Sequence, residues 1–508
     1  MELKEDSQEY MYKDGMLSND IYSFDNASGN VIAGEARSHW STMGFYARLN
    51  WNYNNIYFLE FSGRYDGNDN FHPDKRWGFF PAVSAVWMIS DENFMQKLND
   101  KNILNSLKLR ASYGETGISD GVTRFGYMAL YNQGAMKEYY NAGNILNVTF
   151  SEGNLVNPLA LTWYTRKSFN VGFDFASLNN RLEGSLDYFY YKTSGYLMSP
   201  NNIYATTLGK PLPEITSGSK HRRAGFELNL RYKEKRGNWY YEIGGNISYY
   251  NQLWEQLDSE DLATLKNPYT RQTHEKDYFY SMYLSDGLFQ NKEQILNSPR
   301  PLPSTETSMG DIKYIDANGD GKIDSNDMRR VGQPSMPHLN YGFDFRVEYK
   351  GWSLSALFQG TGDRYIAMGQ QMQRGDYASV ITKFQADYWT PENTDARFPR
   401  VTKAGYPNGE NNALVTDFFN MNAKYFRLKN LQISYNLKRD LLKNCNFIQG
   451  CRITLSGTNL FTVSDVLDFT DPEAKMIEPD KIEKNLRSIS GASYPVFRTY
   501  SLGLNVEF

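Results

Sequence analysis

The stretch GFYARLNWNYNNIYFLEFSGRY, Gly44 to Tyr65, reads as two β-strands around a tight turn. In the first strand Phe45, Ala47, Leu49, Trp51 and Tyr53 share one face, and Arg48, Asn50 and Asn52 share the other. Side chains alternate across a strand with period two, so the segment has one apolar and one polar face. Asn54 and Asn55 supply the turn, because asparagine tolerates the left-handed backbone of a two-residue hairpin. The second strand places Tyr57, Leu59, Phe61 and Tyr65 together.

Working outward, the same pattern recurs in segments of about ten residues, the length of a strand that crosses a bilayer at a tilt. Phe79–Ile89 and Leu107–Tyr113 follow, joined through a short helix expected to begin near Ser90. Arg166–Ala176 pairs with Arg181–Thr193 about Leu178, Asn179 and Asn180, Arg223–Tyr232 with Trp239–Tyr250, and Leu339–Tyr349 with Trp352–Gly360. The last three strands are Tyr425–Leu437, Arg452–Leu460 and Val496–Phe508, which makes about thirteen, one in either direction. In Tyr425–Leu437 the apolar phase slips from Phe426 and Leu428 to Leu431, Ile433 and Tyr435, which predicts a β-bulge near Lys429.

Connections alternate between short turns and long polar excursions, 115–165, 194–221, 251–338, 361–424 and 461–495. Transmembrane barrels put short turns on the periplasmic side and long loops outside. Aromatics gather at the short turns: Trp51, Tyr53 and Tyr57 at the first, Tyr232, Trp239 and Tyr241 at another, Tyr349 and Trp352 at a third. Such a gathering matches an interfacial girdle. The expected fold is all-β, an antiparallel transmembrane β-barrel. Counted back from a periplasmic Phe508, the alternation puts Met1 to Thr42 outside the cell and predicts a chain that starts part-way round the barrel.

Composition agrees. Aromatic residues form 15% of the 508 residues, 38 of them Tyr, yet the mean hydropathy is −0.61. A barrel whose lumen face is polar reconciles the two. No run of roughly 18 apolar residues occurs, which excludes only spanning by a helix. The net charge of −4, with Lys and Arg scattered, gives no field to gather nucleic acid. Met1–Tyr10 has neither the apolar core nor the cleavage site of a secretory signal. Cys445 and Cys451 fit a bridge or two unrelated thiols equally well.

Several stretches, in order along the chain, resemble the SusC/RagA family of TonB-dependent outer-membrane transporters of Bacteroidota. They are RLNWNYNNIYFLEFSGRYDG (Arg48–Gly67), RWGFFPAVSAVWMISDENFM (Arg76–Met95), LKLRASYGETG (Leu107–Gly117), NVGFDFASLNNRLEGSLDYFYYKT (Asn170–Thr193) and GDIKYIDANGDGKID (Gly310–Asp324). DYWTPENTDARFPR (Asp387–Arg400), YFRLKNLQISYNL (Tyr425–Leu437), SGTNLFT (Ser456–Thr462) and the terminal YPVFRTYSLGLNVEF complete the series. The resemblance implies a barrel of about 22 strands, filled by a plug, energised by the TonB complex and capped by a SusD-like surface lipoprotein. On that reading residues 1–508 are the C-terminal part of the barrel, without the plug, the TonB box or the first strands. The terminal aromatic of the last strand resembles the signal read by the barrel assembly machinery.

The sharpest local motif is DANGDGKIDSND, Asp316–Asp327, inside an expected outer loop. Asp316, Asn318, Asp320, the Lys322 carbonyl, Asp324 and Asp327 fall at the ligand positions of a twelve-residue calcium loop, and Gly321 permits its sharp turn. Asp327 stands where such loops usually have Glu. The expected ion is Ca²⁺ in a structural role. An unoccupied Asn, Asp and Gly turn would explain the same residue types.

No enzymatic constellation emerges. His39, His72, His221, His274 and His338 are far apart, and neither a nucleophile elbow nor a phosphate-binding loop is present. Arg48, Glu60, Arg64, Arg110, Asp174, Asp187, Glu227, Arg231, Asp344, Arg346 and Glu348 are expected to line a polar lumen. Tyr139, Tyr140, Tyr365 and Trp389 in the outer loops could stack on sugars, although local loop packing explains each one singly. The expected function is TonB-dependent import of a glycan or oligopeptide across the outer membrane. An adhesion barrel without energised transport and a soluble calcium-binding β-protein are the alternatives.

Overall fold

Left-handed residues at the short turns set the architecture. Asn54 and Asn55 have φ of 52° and 57°, and Leu178, Asn179 and Asn180 have φ of 53°, 58° and 59°. Lys350 and Gly351 have φ of 41° and 88°. Turns of this hand match the twist of the strands they join, and each folds a strand directly back on its predecessor.

The computed structural model describes residues 2–13, 31–120, 161–198, 216–275, 280–299, 306–331, 337–367, 386–402, 410–443, 447–468, 470–473 and 496–508, with scattered residues between 122 and 152. Fourteen strands form one antiparallel meander in which each pairs with its neighbours along the chain. They are β1 (Glu2–Lys13), β2 (Val31–Tyr53), β3 (Tyr57–Asn68), β4 (Trp77–Met88), β5 (Leu104–Ile118), β6 (Tyr164–Ser177) and β7 (Leu182–Met198). Then come β8 (Thr216–Arg236), β9 (Trp239–Gln256), β10 (Leu339–Tyr349), β11 (Trp352–Thr361), β12 (Tyr425–Asn436), β13 (Gly450–Val463) and β14 (Thr499–Glu507). Among the described residues no ladder joins β14 to β1, so the sheet is an open portion of a barrel wall. No described helix is long and apolar enough to cross a membrane.

β1 is one strand more than the sequence pattern shows. It pairs Glu2 through Lys13 with Thr42 through Val31, the half of β2 farther from the periplasmic turn. Its sequence, ELKEDSQEYMYK, has polar residues at both phases and therefore lacks the period-two alternation that marks the other strands. Several strands outrun ten residues; β8 has 21 and β9 has 18.

The expected bulge is present. Leu428 pairs with Phe358 and Asn430 with Leu357, leaving Lys429 unpaired on that side, and the β13 ladder slips at the same point. The turn between β4 and β5 differs from the single helix expected from Ser90. It comprises 3-10 turns at Ile89–Asp91 and Asn93–Met95, then α1 (Gln96–Asp100).

One face of the sheet is apolar and uncovered. Phe45 is 61% exposed, Leu49 66%, Phe79 62% and Leu502 78%. Burying apolar area is the main force that folds a water-soluble chain, so such a face identifies lipid as its solvent and excludes a soluble sheet. The girdle lies on this face: Trp51 stacks on Tyr53 at 6.0 Å, Tyr57 on Trp87 at 6.3 Å, Trp239 on Tyr349 at 4.2 Å, and Trp352 meets Tyr435 at 4.6 Å.

The longest outer excursions fold together. Tyr280–Met282 pairs with Arg329–Val331, and Ser285–Leu288 with Ile312–Tyr314. Isolated bridges join Tyr283 to Thr416 and Tyr388 to Phe398. Tyr283, Ile312, Tyr314, Ile323, Phe398 and Phe419 form a buried apolar core between them. This outer module, formed by the described residues within 280–331 and 386–422, sits on the loop side of the wall.

Candidate functional site

The lumen face is built by strand alternation, and the eleven charged residues expected there occupy it. Asp187 stands opposite Glu227, Gly244 opposite Asp344, and Asn50 opposite Glu60, each pair sharing one face. Arg110 forks between two acids on neighbouring strands: Nε and Nη2 donate to Asp174 at 3.0 and 2.7 Å, and Nη1 and Nη2 to Asp187 at 2.9 Å each. Lys108 adds a second cation, 2.6 Å from Asp174. Farther round, Arg231 pairs with Glu242 and with Asp344 at 3.2 Å, and Arg346 with Glu348. Arg48 pairs with Glu60, and Arg64 lies 3.1 Å from Asp66.

These pairs compensate charge within the wall itself. The described lining therefore mixes both signs of charge and lacks a single-sign field. A recess of about 460 Å³ opens among Asp174, Glu183, Asn229, Arg231, Asn246 and Asp344.

The outer module is clasped by one buried carboxylate. Asp311 is fully buried, and Arg400 grips it with both ends of the guanidinium, Nε to Oδ1 at 2.7 Å and Nη2 to Oδ2 at 3.0 Å. The Asn412 amide donates to Oδ1 at 2.8 Å and the Ser308 backbone to Oδ2 at 2.7 Å. Burial pushes the Asp311 carboxyl above its usual range, opposed by Arg400. Burial also pushes the Tyr314 hydroxyl up; it donates to the Asn411 carbonyl at 2.6 Å. Two excursions about a hundred residues apart are locked by a bidentate pair with every carboxylate oxygen served.

Beside this clasp lies the Asp316–Asp327 loop. Its carboxylates organise it through backbone amides. Asp316 accepts from Gly319 at 2.6 Å, Asp320 at 3.2 Å and Gly321 at 2.7 Å. The fully buried Asp327 accepts from Ala317 at 2.9 Å, Asn318 at 3.2 Å and Asp324 at 2.8 Å. Asp324 caps the turn at Asn326, and Asp320 accepts from Lys322 at 3.0 Å. Partial desolvation raises the Asp316 carboxyl, but the amides of Gly321, Gly319 and Asp320 outweigh it and leave the group below its usual range. The six expected ligand positions thus share one loop, yet no three acidic, His or Cys side chains converge as a metal centre among the described residues. A carboxylate oxygen has about two acceptor sites. Oδ2 of Asp316 and of Asp327 each accepts one backbone amide, which leaves capacity for a cation.

A second clasp has no counterpart in the sequence analysis. Arg427 is 1% exposed, bonds Asp471 at 2.6 Å and Thr462 at 2.8 Å, and pairs with Glu473. The bulged Lys429 reaches Glu473 at 2.9 Å, and the Tyr425 hydroxyl donates to it at 2.8 Å. The phase slip is what aims Lys429 at Glu473, the re-aiming that bulges provide. Burial pushes the Glu473 carboxyl up, but Lys429, Tyr425 and Arg427 together hold it below its usual range. Residues 470–473, the described part of the final outer loop that carries Asp471 and Glu473, are thereby fastened to the mouth of the wall. The available signal was one basic residue two positions before the phase slip and another at it, with Asp-Pro-Glu downstream.

The loop aromatics divide. Trp389 is 7% exposed, packs over Gly310, where a Cβ would meet its ring at 2.4 Å, and donates to Gln290 at 3.1 Å. It is a packing residue. Tyr365 is half-buried in a strand beside Asn422. The side chains of Tyr139 and Tyr140 and all of Cys445 lie outside the described residues; Cys451 is buried.

A family model described as TonB dependent receptor-like, beta-barrel, matches residues 4–460. TonB-dependent receptor P26 of Formosa agariphila is 29% identical over 97% of this chain and 49% of its own length. TonB-dependent receptor SusC of Bacteroides thetaiotaomicron is 25% identical over 92% of this chain and 44% of its own. The chain spans about half the length of the curated relatives it matches. A solved structure of the RagAB peptide transporter superposes with a TM-score of 0.68 at 20% identity, covering 100% of this chain and 52% of that one.

Proposed function

The chain belongs to the TonB dependent receptor-like β-barrel family of the outer membrane, and from that premise we propose that it supplies wall and outer loops to an importer of glycans or oligopeptides. The observation that carries the reading is the two-sided wall. Its outer face is solvated by lipid, and its inner face is polar with its charges paired, as a passage for a bulky hydrophilic solute requires. Cargo meets the outer module first. A SusD-like lipoprotein is the proposed lid on that module, and the TonB complex, pulling on a plug in the lumen, is the proposed source of energy. Carriage needs no covalent step.

The test is uptake by cells that carry or lack the gene, over a panel of labelled oligosaccharides and oligopeptides. Gene-dependent uptake of one class that stops when TonB is removed supports the proposal. Surface retention of cargo without internalisation, unaffected by TonB, would favour the adhesion alternative.

For the Asp316–Asp327 loop the proposed occupant is a structural calcium ion held by Asp316, Asn318, Asp320, the Lys322 carbonyl, Asp324 and Asp327. Its support is a donor set of four carboxylates against one lysine, including a fully buried Asp327. Hard oxygen donors of this kind suit calcium. The ion would supply positive charge where the described ion pairs include no cation for these four acids.

A further inference from the structure

Two periplasmic turns carry large apolar side chains that the barrel leaves uncovered. Between β4 and β5, Phe94 is 65% exposed, Ile103 49% and Leu98 39%. Between β12 and β13, which are linked through the helix Leu437–Asp440, Leu441 is 72% exposed and Phe447 74%.

Both turns are pinned outward, over the lipid face. Glu92 accepts the Trp87 indole N–H at 3.0 Å and the Tyr57 hydroxyl, and both rings belong to the girdle. Asp440 accepts the hydroxyl of Tyr435, another girdle ring, at 2.7 Å. Phe447 lies 5.2 Å from the ring of Phe508, which ends the lipid-facing row of β14. The same device therefore occurs twice on opposite parts of the sheet: an acid in the turn holds a girdle tyrosine, and apolar residues beyond it continue the hydrocarbon belt. Lys97, Lys101 and Lys443 are exposed beside these residues.

We propose that the turn 89–103 and the described turn residues 437–443 and 447–449 are lipid anchors lying in the headgroup region of the periplasmic leaflet. Phospholipid is the partner that fits. Phe94, Leu98, Leu441 and Phe447 would enter the acyl boundary, and the lysines would remain at the phosphates, the arrangement of interfacial amphipathic segments. Continuity with the aromatic girdle selects lipid over a protein partner.

This rests on the membrane reading of the wall, and the experiment separates the two. The full chain is reconstituted into phosphatidylethanolamine–phosphatidylglycerol vesicles with Cys445→Ser and Cys451→Ala. A nitroxide is placed at Phe94→Cys or Phe447→Cys, with Asn55→Cys in a tight turn as the aqueous control. Heat-modifiable gel migration of each sample reports the folded barrel, and its loss in every sample would overturn the wall reading itself. In folded samples the expected result is more collision with lipid-soluble oxygen than with a water-soluble nickel chelate at positions 94 and 447, and the reverse at position 55. Greater nickel accessibility at 94 and 447 would overturn the proposal by placing the turns in water. Protection from both reagents would overturn it by showing a protein cover, a second copy or a periplasmic partner.

Discussion

The wall and the outer module use charged residues in opposite ways. In the wall, Arg110 and Asp174 keep 29% and 32% of their side chains exposed, and a continuous backbone ladder holds the strands whether or not they pair. In the module, Asp311 is fully buried with its Arg400 partner 21% exposed, and the segments it joins share only short ladders. Exposed pairs are worth little because water screens them and the side chains lose freedom. A buried pair that loses one member leaves the other uncompensated in a poor solvent. The wall's charges thus contribute little to its cohesion, whereas those of the module hold it together.

The largest effect should follow Asp311→Ala, which orphans Arg400, Asn412 and the Ser308 amide. A loss of about 3–5 kcal/mol is expected in the module alone, seen as protease cleavage within 280–331 while heat-modifiable migration of the barrel persists. Glu473→Gln keeps the shape of the second clasp but removes its charge. It should cost about 1–3 kcal/mol, read as faster proteolysis of the last outer loop.

Acid sharpens the contrast. The Glu473 carboxyl is lower in the folded protein than its ordinary value of 4.5, so its contribution is present above that value and is lost as pH falls through the folded one. Asp311 is displaced the other way, above 3.8; its burial favours the protonated form, so its contribution is full below 3.8 and declines as pH rises through the folded value. Lowering the pH from 6 should therefore loosen the final loop before the module, a sequence that limited proteolysis across the titration can follow.

Smallest of all, Arg110→Ala in the wall should change thermal stability by about 1 kcal/mol or less. A larger loss would show that wall pairs are structural after all. Asp320→Asn should leave the ion-free loop intact while lowering terbium luminescence at the site; equal luminescence in both proteins would remove calcium from the account.

The difference between the regions also explains what could be read from the sequence. The wall has lipid on one side and water on the other, so its alternation is written into every ten or so residues, down to the slip at Lys429. β1 escaped because ELKEDSQEYMYK carries polar residues at both phases and so lacks the alternation of the other strands. The module escaped for a different reason: Asp311 meets Arg400 and Asn412 across 89 and 101 residues, and no local period encodes such a meeting. The Asp316–Asp327 loop was legible as a motif because its ligand positions are adjacent, but its backbone-directed oxygens were not, since they depend on the fold of the turn.

Hydrogen exchange on the full chain, wild type against Asp311→Ala, tests most directly whether the module is a separate cooperative unit carried by an independently stable wall. The account predicts loss of amide protection in 280–331 and 386–422 with protection of β2 to β14 unchanged. Simultaneous loss of protection in module and wall would contradict it.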